Sequence, residues 1–478
     1  MEPALAPALD RHVALVGFMG AGKSTLGAEL ATRLGRPFVD LDRELEAAEG
    51  MGIPELFREG EAFFRTRESR LAIERLARRP PGVLALGGGA LGSAQVREAL
   101  QEHALTLHVE VEVEDAWQRV RESGRPLAQD ELDFRVLFQK RAPVYAEAAD
   151  ARVRDVDGAT LAAAAVHVEP GALGRLGELT PPGAAALVSD ARVAGIHGAD
   201  AQVALGGRAL SVHELPEGEE AKTIEVVTRL WHALRLDRHG VLVALGGGCT
   251  TDAAGFVAAT YLRGVPWVAV PTTLVGQVDA AIGGKTAIDL PEGKNLVGAF
   301  HWPARTVVDP ALLTTLPEHE RREGLAEVVK TGLLAGRPLW ELPEPELVRA
   351  SAAFKSAVCL RDPHDRGERN VLNLGHTFAH ALEAAAGYEG VTHGSAVALG
   401  LLAALRLSGQ DTKPVEEVLA PRPVRVNRDR AWAALQRDKK REDGRVKLVL
   451  LDGPGRPVHG VDRPDAEVRA ALDELIAD

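Results

Sequence analysis

Cysteine is almost absent: Cys249 and Cys359 are the only two in 478 residues. Two thiols offer no disulfide framework, and a reducing cytoplasm is the expected compartment. Long apolar runs are missing as well. No stretch reaches the roughly 18 consecutive apolar residues of a membrane-spanning helix. The start, Met1-Glu2-Pro3-Ala4-Leu5-Ala6-Pro7, lacks the basic segment and continuous apolar core of a signal peptide. Positive charge is not in surplus: 56 Lys and Arg face 68 Asp and Glu, a net charge of -12. That argues against a nucleic-acid binder, which needs a basic footprint to displace counterions. Small anionic substrates remain open, because local Lys and Arg decide those. Tandem repeats and low-complexity tracts are also missing. What is present is a globular composition, 46% hydrophobic and 26% charged, in a chain long enough for about three domains at roughly 150 residues each.

Two phosphate-handling signatures stand out. The first is Gly17-Phe18-Met19-Gly20-Ala21-Gly22-Lys23-Ser24. The second is Gly246-Gly247-Gly248-Cys249-Thr250-Thr251-Asp252, followed by Val270-Pro271-Thr272-Thr273 and Gly283-Gly284-Lys285. Each follows a short apolar run and opens a helical pattern. One fold has no use for two such beginnings, so two enzymes fused in one polypeptide are expected.

From His12 to about Val168, short apolar runs (His12–Val16, Pro37–Asp40, Val83–Leu86, Leu105–Glu110) alternate with helical stretches such as Lys23–Leu34 and Glu61–Ala77. Such alternation predicts a parallel sheet covered by helices. Residues 169–183 are rich in Gly and Pro and read as a linker. Strand-like runs resume at Ala185–Ser189, Ala201–Leu205, Val241–Leu245 and Trp267–Val270. After about Ala311 helical periodicity takes over, apart from Val446–Leu451. The expected α/β architecture is thus residues 10–168, a linker over 169–183, an α/β half over 184–310 and a mostly helical half over 311–478.

Gly17-x-x-x-x-Gly22-Lys23-Ser24 fits the P-loop pattern in full. Its glycines let backbone N–H groups close on phosphates, Lys23 neutralises their charge and Ser24 can hold Mg²⁺. At the next strand end, Val39-Asp40-Leu41-Asp42 offers two carboxylates, one for Mg²⁺ and one to accept a hydroxyl proton. A plain helix cap is the competing reading of Asp40. Arg65 in Phe64-Arg65, Arg125 in Gly124-Arg125-Pro126 and Arg141 in Lys140-Arg141 suit a carboxylate acceptor and a phosphoryl transition state.

This ordered set, with Gly87-Gly88-Gly89, resembles shikimate kinase over nearly all of residues 10–168. The resemblance implies a P-loop fold and ATP contacts at Gly20, Gly22, Lys23, Ser24, Thr25 and Arg125, with Mg²⁺ at Ser24 and Asp40. It implies shikimate contacts at Asp42, Arg65, Gly88, Gly89 and Arg141, with Asp42 as base and Arg125 in a closing lid. The lid segment, Glu122-Ser123-Gly124-Arg125-Pro126, is shorter than in many relatives.

In the second half, His376-Thr377-Phe378-Ala379-His380 sets two imidazoles at i and i+4, a spacing that can clamp Zn²⁺. His393 follows a turn, and Glu327 is a carboxylate on an otherwise apolar helical stretch. Clustered histidines with an acid favour a metal site with an open position.

These motifs resemble 3-dehydroquinate synthase from about Gly183 onward. The resemblance implies a Rossmann-like NAD-binding domain followed by the helical metal-binding one. It assigns Zn²⁺ or Co²⁺ to Glu327, His376 and His393, and makes His380 an active-site group instead of a ligand. NAD contacts fall on Asp190, Glu219, Lys222, Gly247, Gly248, Asp252, Thr272, Thr273, Asp279, Lys294 and Thr315. Substrate contacts fall on Lys285, Asn295, Lys330, Lys355, Arg369, Asn373 and Lys439. Arg263 is implied to reach across to a neighbouring subunit, hence a homodimer. Catalytic roles are implied for Asp42 and Arg125 in the kinase and for Lys285, Arg369, Asn373, His380 and Arg263 in the synthase. Three residues depart from the family pattern: Asp365, Thr251 and Ser395.

Both resemblances belong to the shikimate pathway. They imply ATP-dependent phosphorylation of shikimate, and NAD- and metal-dependent closure of 3-deoxy-D-arabino-heptulosonate 7-phosphate to 3-dehydroquinate. The alternatives for the second half are another sugar-phosphate cyclase and a metal-dependent polyol dehydrogenase. Arg369 and Lys355 favour a carboxylated substrate.

Overall fold

The apolar run at the start of the chain becomes β1 (His12–Val16), with all five residues buried. In this computed structural model, which describes residues 7–123, 126–387, 390–439 and 446–477, the chain divides into two compact units, Met1–Ala165 and Val166–Asp478. In the first, β1 is the central strand of five. Its companions are β2 (Phe38–Asp40), β3 (Val83–Ala85), β4 (Ala104–Val109) and β5 (Ala151–Val153). The order is β2–β3–β1–β4–β5, and every pairing is parallel. Parallel neighbours need crossover connections, and helices supply them. They include α1 (Lys23–Leu34), α2 (Leu41–Glu49), α3 (Glu61–Leu76) and α4 (Glu131–Ala148). On α1, Leu26, Leu30 and Leu34 recur every fourth position and are buried, as an amphipathic helix on a sheet requires. The chain leaves β1 for one edge of the sheet and later returns on the other side as β4. The C-terminal end of β1 is therefore the switch point where such sheets bind ligands.

The second unit holds six parallel strands and a hairpin. The strands are β6 (Val166–Val168), β7 (Ala185–Asp190), β8 (Ala209–Leu215), β9 (Val241–Gly246) and β10 (Trp267–Pro271). The hairpin pairs β11 (Lys285–Leu290) with β12 (Gly293–Phe300), and β13 (Arg305–Val308) then returns to the sheet. The sheet order is β6–β13–β10–β9–β7–β8. Between β9 and β10 runs α5 (Gly248–Thr260). Beyond Pro310 the described chain is helical apart from β14 (Leu448–Leu451) and β15 (Pro457–Val461). Its long helices are α6 (Glu318–Ala335), α7 (Glu344–Arg361), α8 (His376–Ala385) and α9 (His393–Ser408). Leu382, Leu399, Leu401 and Phe378 sit in their shared core. Among the described residues, no helix is long and apolar enough to cross a membrane.

Three expectations need correction. Ala201–Leu205 is not a strand: it lies in a helix, Ala199–Leu205, with Ala201 and Leu205 buried one turn apart. The strand comes next, as β8, whose inward and outward positions alternate along an edge. The stretch 169–183 is not a linker. Ala172, Leu173, Leu176 and Leu179 pack into the core of the second unit, and the buried Asp309 carboxylate accepts the backbone N–H of Gly171 (2.8 Å) and Leu173 (3.0 Å). The division therefore falls before Val166 instead of after Val168. Strand β6 pairs with β13, burying Val166 in the second sheet.

Candidate active sites

Beyond β1 the chain turns through Gly17, whose φ is +147° and where a Cβ would stand 2.6 Å from the Val109 carbonyl. Only glycine fits that approach. The loop ends at Gly22, in left-handed conformation at the N-cap of α1. Ser24 and Thr25 are exposed in the first turn of α1, whose N–H groups lack intrahelical partners and suit an anion. Lys23 Nζ donates to the carbonyls of Gly17 (2.9 Å) and Phe18 (3.0 Å). Arg119 donates to Gly20 O at 2.9 Å. Asp40 caps α2, its Oδ1 accepting from the N–H of Asp42 (3.1 Å) and Arg43 (3.3 Å).

An acceptor-sized cavity of about 580 Å³ opens nearby, lined by Arg65, Gly88, Gly89, Lys140, Arg141 and Tyr145 among others. Arg65 reaches it from the first turns of α3, where Glu68 Oε2 holds its Nη1 at 2.7 Å. Glu68 is 5% exposed, and burial pushes its carboxyl up against the pull of Arg65. A Cβ on Gly89 would collide with the Arg65 guanidinium, and one on Gly87 would stand 2.7 Å from Asp42 Oδ1. These glycines thus let the cation and the carboxylate approach the same turn. The Gly88 carbonyl accepts from Arg141 (3.1 Å) and from Tyr145 OH (2.5 Å). Burial pushes the Tyr145 phenol up to about 12, so it stays a neutral donor. Arg125 lies outside the described residues.

In the second unit the switch point lies between β7 and β9. There a cavity of about 270 Å³ is lined by Asp190, Gly247, Gly248, Thr272, Thr273 and Thr315, with Cys249 and others. Asp190 Oδ1 accepts Val193 N–H at 2.9 Å and its Oδ2 accepts from Thr250 at 3.1 Å. A Cβ on Gly247 would meet Thr273 Cγ2 at 3.1 Å, so bare backbone lets a pyrophosphate come close.

Glu219, Lys222, Asp252 and Lys294, also expected around a nucleotide, form a charged cluster beside this cavity, where Cys249 of its wall lies 3.6 Å from Glu219 Oε2. Lys222, buried, lies 2.9 Å from Asp252 Oδ2 and also donates to Asn295 Oδ1. Burial opposes its charge, but Asp252, Glu219 and Asp289 raise its pKa. Lys294 donates to Glu219 at 2.5 Å. Asn295 itself has a φ of +58°, and Asp289 Oδ1 accepts its backbone N–H at 2.7 Å.

The third cluster centres on Glu327, fully buried on α6. One ligand atom each of Glu327, His376 and His393 lies within 4.8 Å of the others. His393 Nε2 is 3.2 Å and His376 Nε2 3.5 Å from Glu327 Oε1. Burial opposes the Glu327 charge, yet Lys330 and the two histidines hold its carboxyl well below the usual range. Burial and Lys330 bring His376 down to about 4, whereas against its burial Glu327 and Glu383 hold His393 up at about 10, so a metal would have to displace a proton from His393. Two imidazoles and one carboxylate converging in a buried site match the donor set of a catalytic Zn²⁺ or Co²⁺. His380, one turn along α8, is exposed, its ring centroid 5.5 Å from that of His376. It does not join the ligand set.

Around this centre Lys330 contacts Glu327 and lies 3.4 Å from Asp279 Oδ2, while Lys355 also meets Asp279. Arg369 donates to Gly283 O at 2.9 Å, and Lys285 pairs with Asp365. Asn373 is exposed at the turn before α8. Asp279 therefore pairs with Lys330 and Lys355 and is not among the residues that line the nucleotide cavity. Arg263 is exposed on a turn with φ +67° and joins none of these clusters. The side chain of Lys439 lies outside the described residues. Sequence reasoning missed Glu68, Asp289 and Glu383. Glu383 lies 3.2 Å from His393 Nδ1; its signal was a third polar residue on the His376–His380 face of α8.

The first unit therefore has the fold and site of a P-loop kinase for a small carboxylated acceptor, and the second those of an α/β nucleotide-binding enzyme with a histidine–carboxylate metal centre. The shikimate kinase family model matches residues 19–168. The N-terminal and C-terminal models of 3-dehydroquinate synthase match 212–323 and 324–441. The chain belongs to both families, joined in one polypeptide. It is 36% identical over 419 residues to the bifunctional shikimate kinase/3-dehydroquinate synthase of Thermotoga maritima, covering 82% of this chain and 83% of that protein. It is 39% identical to the 3-dehydroquinate synthase of Bordetella pertussis, over 64% of this chain and 95% of that one. The solved 2-epi-5-epi-valiolone synthase of Streptomyces hygroscopicus, with NAD⁺ and Zn²⁺ bound, is 27% identical with a TM-score of 0.57, over 65% of this chain and 96% of that one. The enzyme phosphorylates shikimate with ATP and cyclises 3-deoxy-D-arabino-heptulosonate 7-phosphate to 3-dehydroquinate.

Proposed function

We propose that the two reactions run at separate sites, phosphorylation within residues 10–168 and cyclisation within 184–478, with NAD held by 184–310 and the metal and substrate by 311–478. The observation that carries the synthase half is the convergence of Glu327, His376 and His393 within 4.8 Å, ringed by Lys330, Lys355 and Arg369.

In the kinase, Gly20, Gly22, Lys23, Ser24 and Thr25 hold the ATP phosphates, and Ser24 and Asp40 would hold a mostly hydrated Mg²⁺, which would neutralise phosphate charge. Arg65 and Arg141 grip the shikimate carboxylate beside Gly88 and Gly89. Asp42 accepts the proton of the attacking hydroxyl, and Arg125 neutralises the moving phosphoryl group.

In the synthase, Asp190, Gly247, Gly248, Thr272, Thr273 and Thr315 line the NAD cavity. Glu219, Lys222, Asp252 and Lys294 border it, and Asp279 connects NAD to the substrate lysines. When bound, NAD supplies reversible hydride transfer at C5 while Zn²⁺ or Co²⁺, on Glu327, His376 and His393, polarises the adjoining oxygen. Lys285, Asn295, Lys330, Lys355, Arg369, Asn373 and Lys439 hold the substrate's carboxylate, phosphate and hydroxyls while phosphate leaves. His380, at the open side, positions substrate or moves a proton. Arg263 serves a neighbouring subunit's site in a homodimer; its exposure and its absence from its own chain's clusters support this. With only two cysteines, both free, the working compartment is the reducing cytoplasm.

The test is to add heptulosonate 7-phosphate with a catalytic amount of NAD. Stoichiometric phosphate release without NADH build-up is expected. Turnover that stops once the added NAD has become NADH would mean a simple dehydrogenase.

A further inference from the structure

The metal cluster has one carboxylate that no ligand assignment uses. Glu383 lies on α8, two turns beyond His376, and is 8% exposed. Its Oε1 is 3.2 Å from His393 Nδ1, while His393 Nε2 is 3.2 Å from Glu327 Oε1. The ring thus stands between two carboxylates, one at each nitrogen. His376 is arranged in the same sense, with Nδ1 3.2 Å from the Leu374 carbonyl and Nε2 facing Glu327. A carbonyl or an ionised carboxylate only accepts, so each Nδ1 carries a hydrogen, and a metal in the site would take the place of any proton on the Nε2 that faces Glu327.

We infer that Glu383 is a positioning residue of the metal centre: by accepting the Nδ1–H of His393 it fixes that imidazole in the tautomer and orientation whose Nε2 lone pair meets the site. This rests on the reading of Glu327, His376 and His393 as metal ligands. Glu383 is not a fourth ligand, because it meets the nitrogen on the far edge of the ring, and the described cluster within 4.8 Å contains only the other three residues. The need for it follows from the fold. His376 finds its acceptor in the backbone two residues earlier. His393 is the first residue of α9, its side chain is 40% exposed, and the preceding Thr392 is spent capping Ser395 N–H. A ring so placed needs an acceptor from a neighbouring helix to stop it turning, and α8 supplies Glu383. Such carboxylate–histidine–metal relays orient the ligand and raise its basicity.

The experiment uses the full chain and two variants, Glu383→Gln and Glu383→Ala. The first readout is the Kd for Co²⁺ or Zn²⁺ in a metal-buffered titration of stripped protein. The second is the ¹H shift of the His393 Nδ1–H in metal-free protein, assigned by its loss in His393→Ala. Both variants are expected to raise the metal Kd, Glu383→Ala by about 10- to 100-fold and Glu383→Gln by less, since an amide oxygen still accepts. The parent Nδ1–H should be shifted downfield by its hydrogen bond to the carboxylate and should lose that shift in Glu383→Ala. Circular dichroism and the thermal unfolding transition of the second unit, matched to the parent's, report that each variant is folded. Metal affinity in both variants equal to the parent's overturns the proposal, as does an Nδ1–H shift that is the same in the parent and in Glu383→Ala. If the parent itself binds no metal, the ligand assignment of Glu327, His376 and His393 fails instead, and the Nδ1–H shift still decides the role of Glu383.

Discussion

Arg65 and Glu68 form an ion pair at 2.7 Å in which the guanidinium is 24% exposed and the carboxylate 5%. The carboxylate pays its desolvation to hold one cation at the rim of the acceptor cavity. Charged hydrogen bonds of this kind are worth about 1.5–3 kcal/mol. Glu68→Ala should therefore raise the KM for shikimate by roughly 10- to 100-fold and leave the KM for ATP little changed. Gly89→Ala, whose methyl would strike the same guanidinium, should act in the same direction. Steady-state kinetics with each substrate varied checks both; an equal rise in both KM values would mean general damage to the unit.

Independence of the two sites is tested by paired substitutions. Lys23→Ala should abolish phosphorylation and leave cyclisation nearly intact, and His393→Ala should do the reverse. Either variant losing both activities while still folded would contradict separate sites.

Metal removal should divide the activities. The kinase uses a hard, mostly hydrated Mg²⁺, whereas a centre of two imidazoles and a carboxylate prefers Zn²⁺ or Co²⁺. After a strong chelator, excess Mg²⁺ should restore phosphorylation alone, and cyclisation should return only with Zn²⁺ or Co²⁺. Full recovery of cyclisation with Mg²⁺ would reject the assignment.

His380 and His376 should part company in metal content. Spacing alone makes them a clamp, but Glu327 gathers His376 and His393 instead. His380→Ala should keep stoichiometric metal after dialysis and lose much of its turnover, while His376→Ala should lose the metal itself. Equal metal loss in the two variants would restore the clamp.

Much of this enzyme was legible in the chain. The apolar runs of β1, β7, β9 and β10, with the glycine turns after β1 and β9, announce parallel strands ending at phosphate sites, because buried strands and bare backbone leave composition signals. Segments whose state depends on partners were not legible. Ala201–Leu205 is apolar enough for either period, and the helix is the state that buries both Ala201 and Leu205 in the core with Leu173 and Leu176. Residues 169–183 have linker composition, but the Asp309 carboxylate, distant in sequence, ties them into the second unit.

The sequence by itself determined the two chemistries, since motif residues act through local backbone geometry and fixed functional groups. Tertiary structure decided which polar groups share a space. It placed Asp279 between Lys330 and Lys355, left His380 outside the cluster of Glu327, His376 and His393, and put Glu68 behind Arg65 and Glu383 behind His393. Those choices depend on helix crossings and strand order, which join residues far apart in the chain, and no spacing within one segment encodes them.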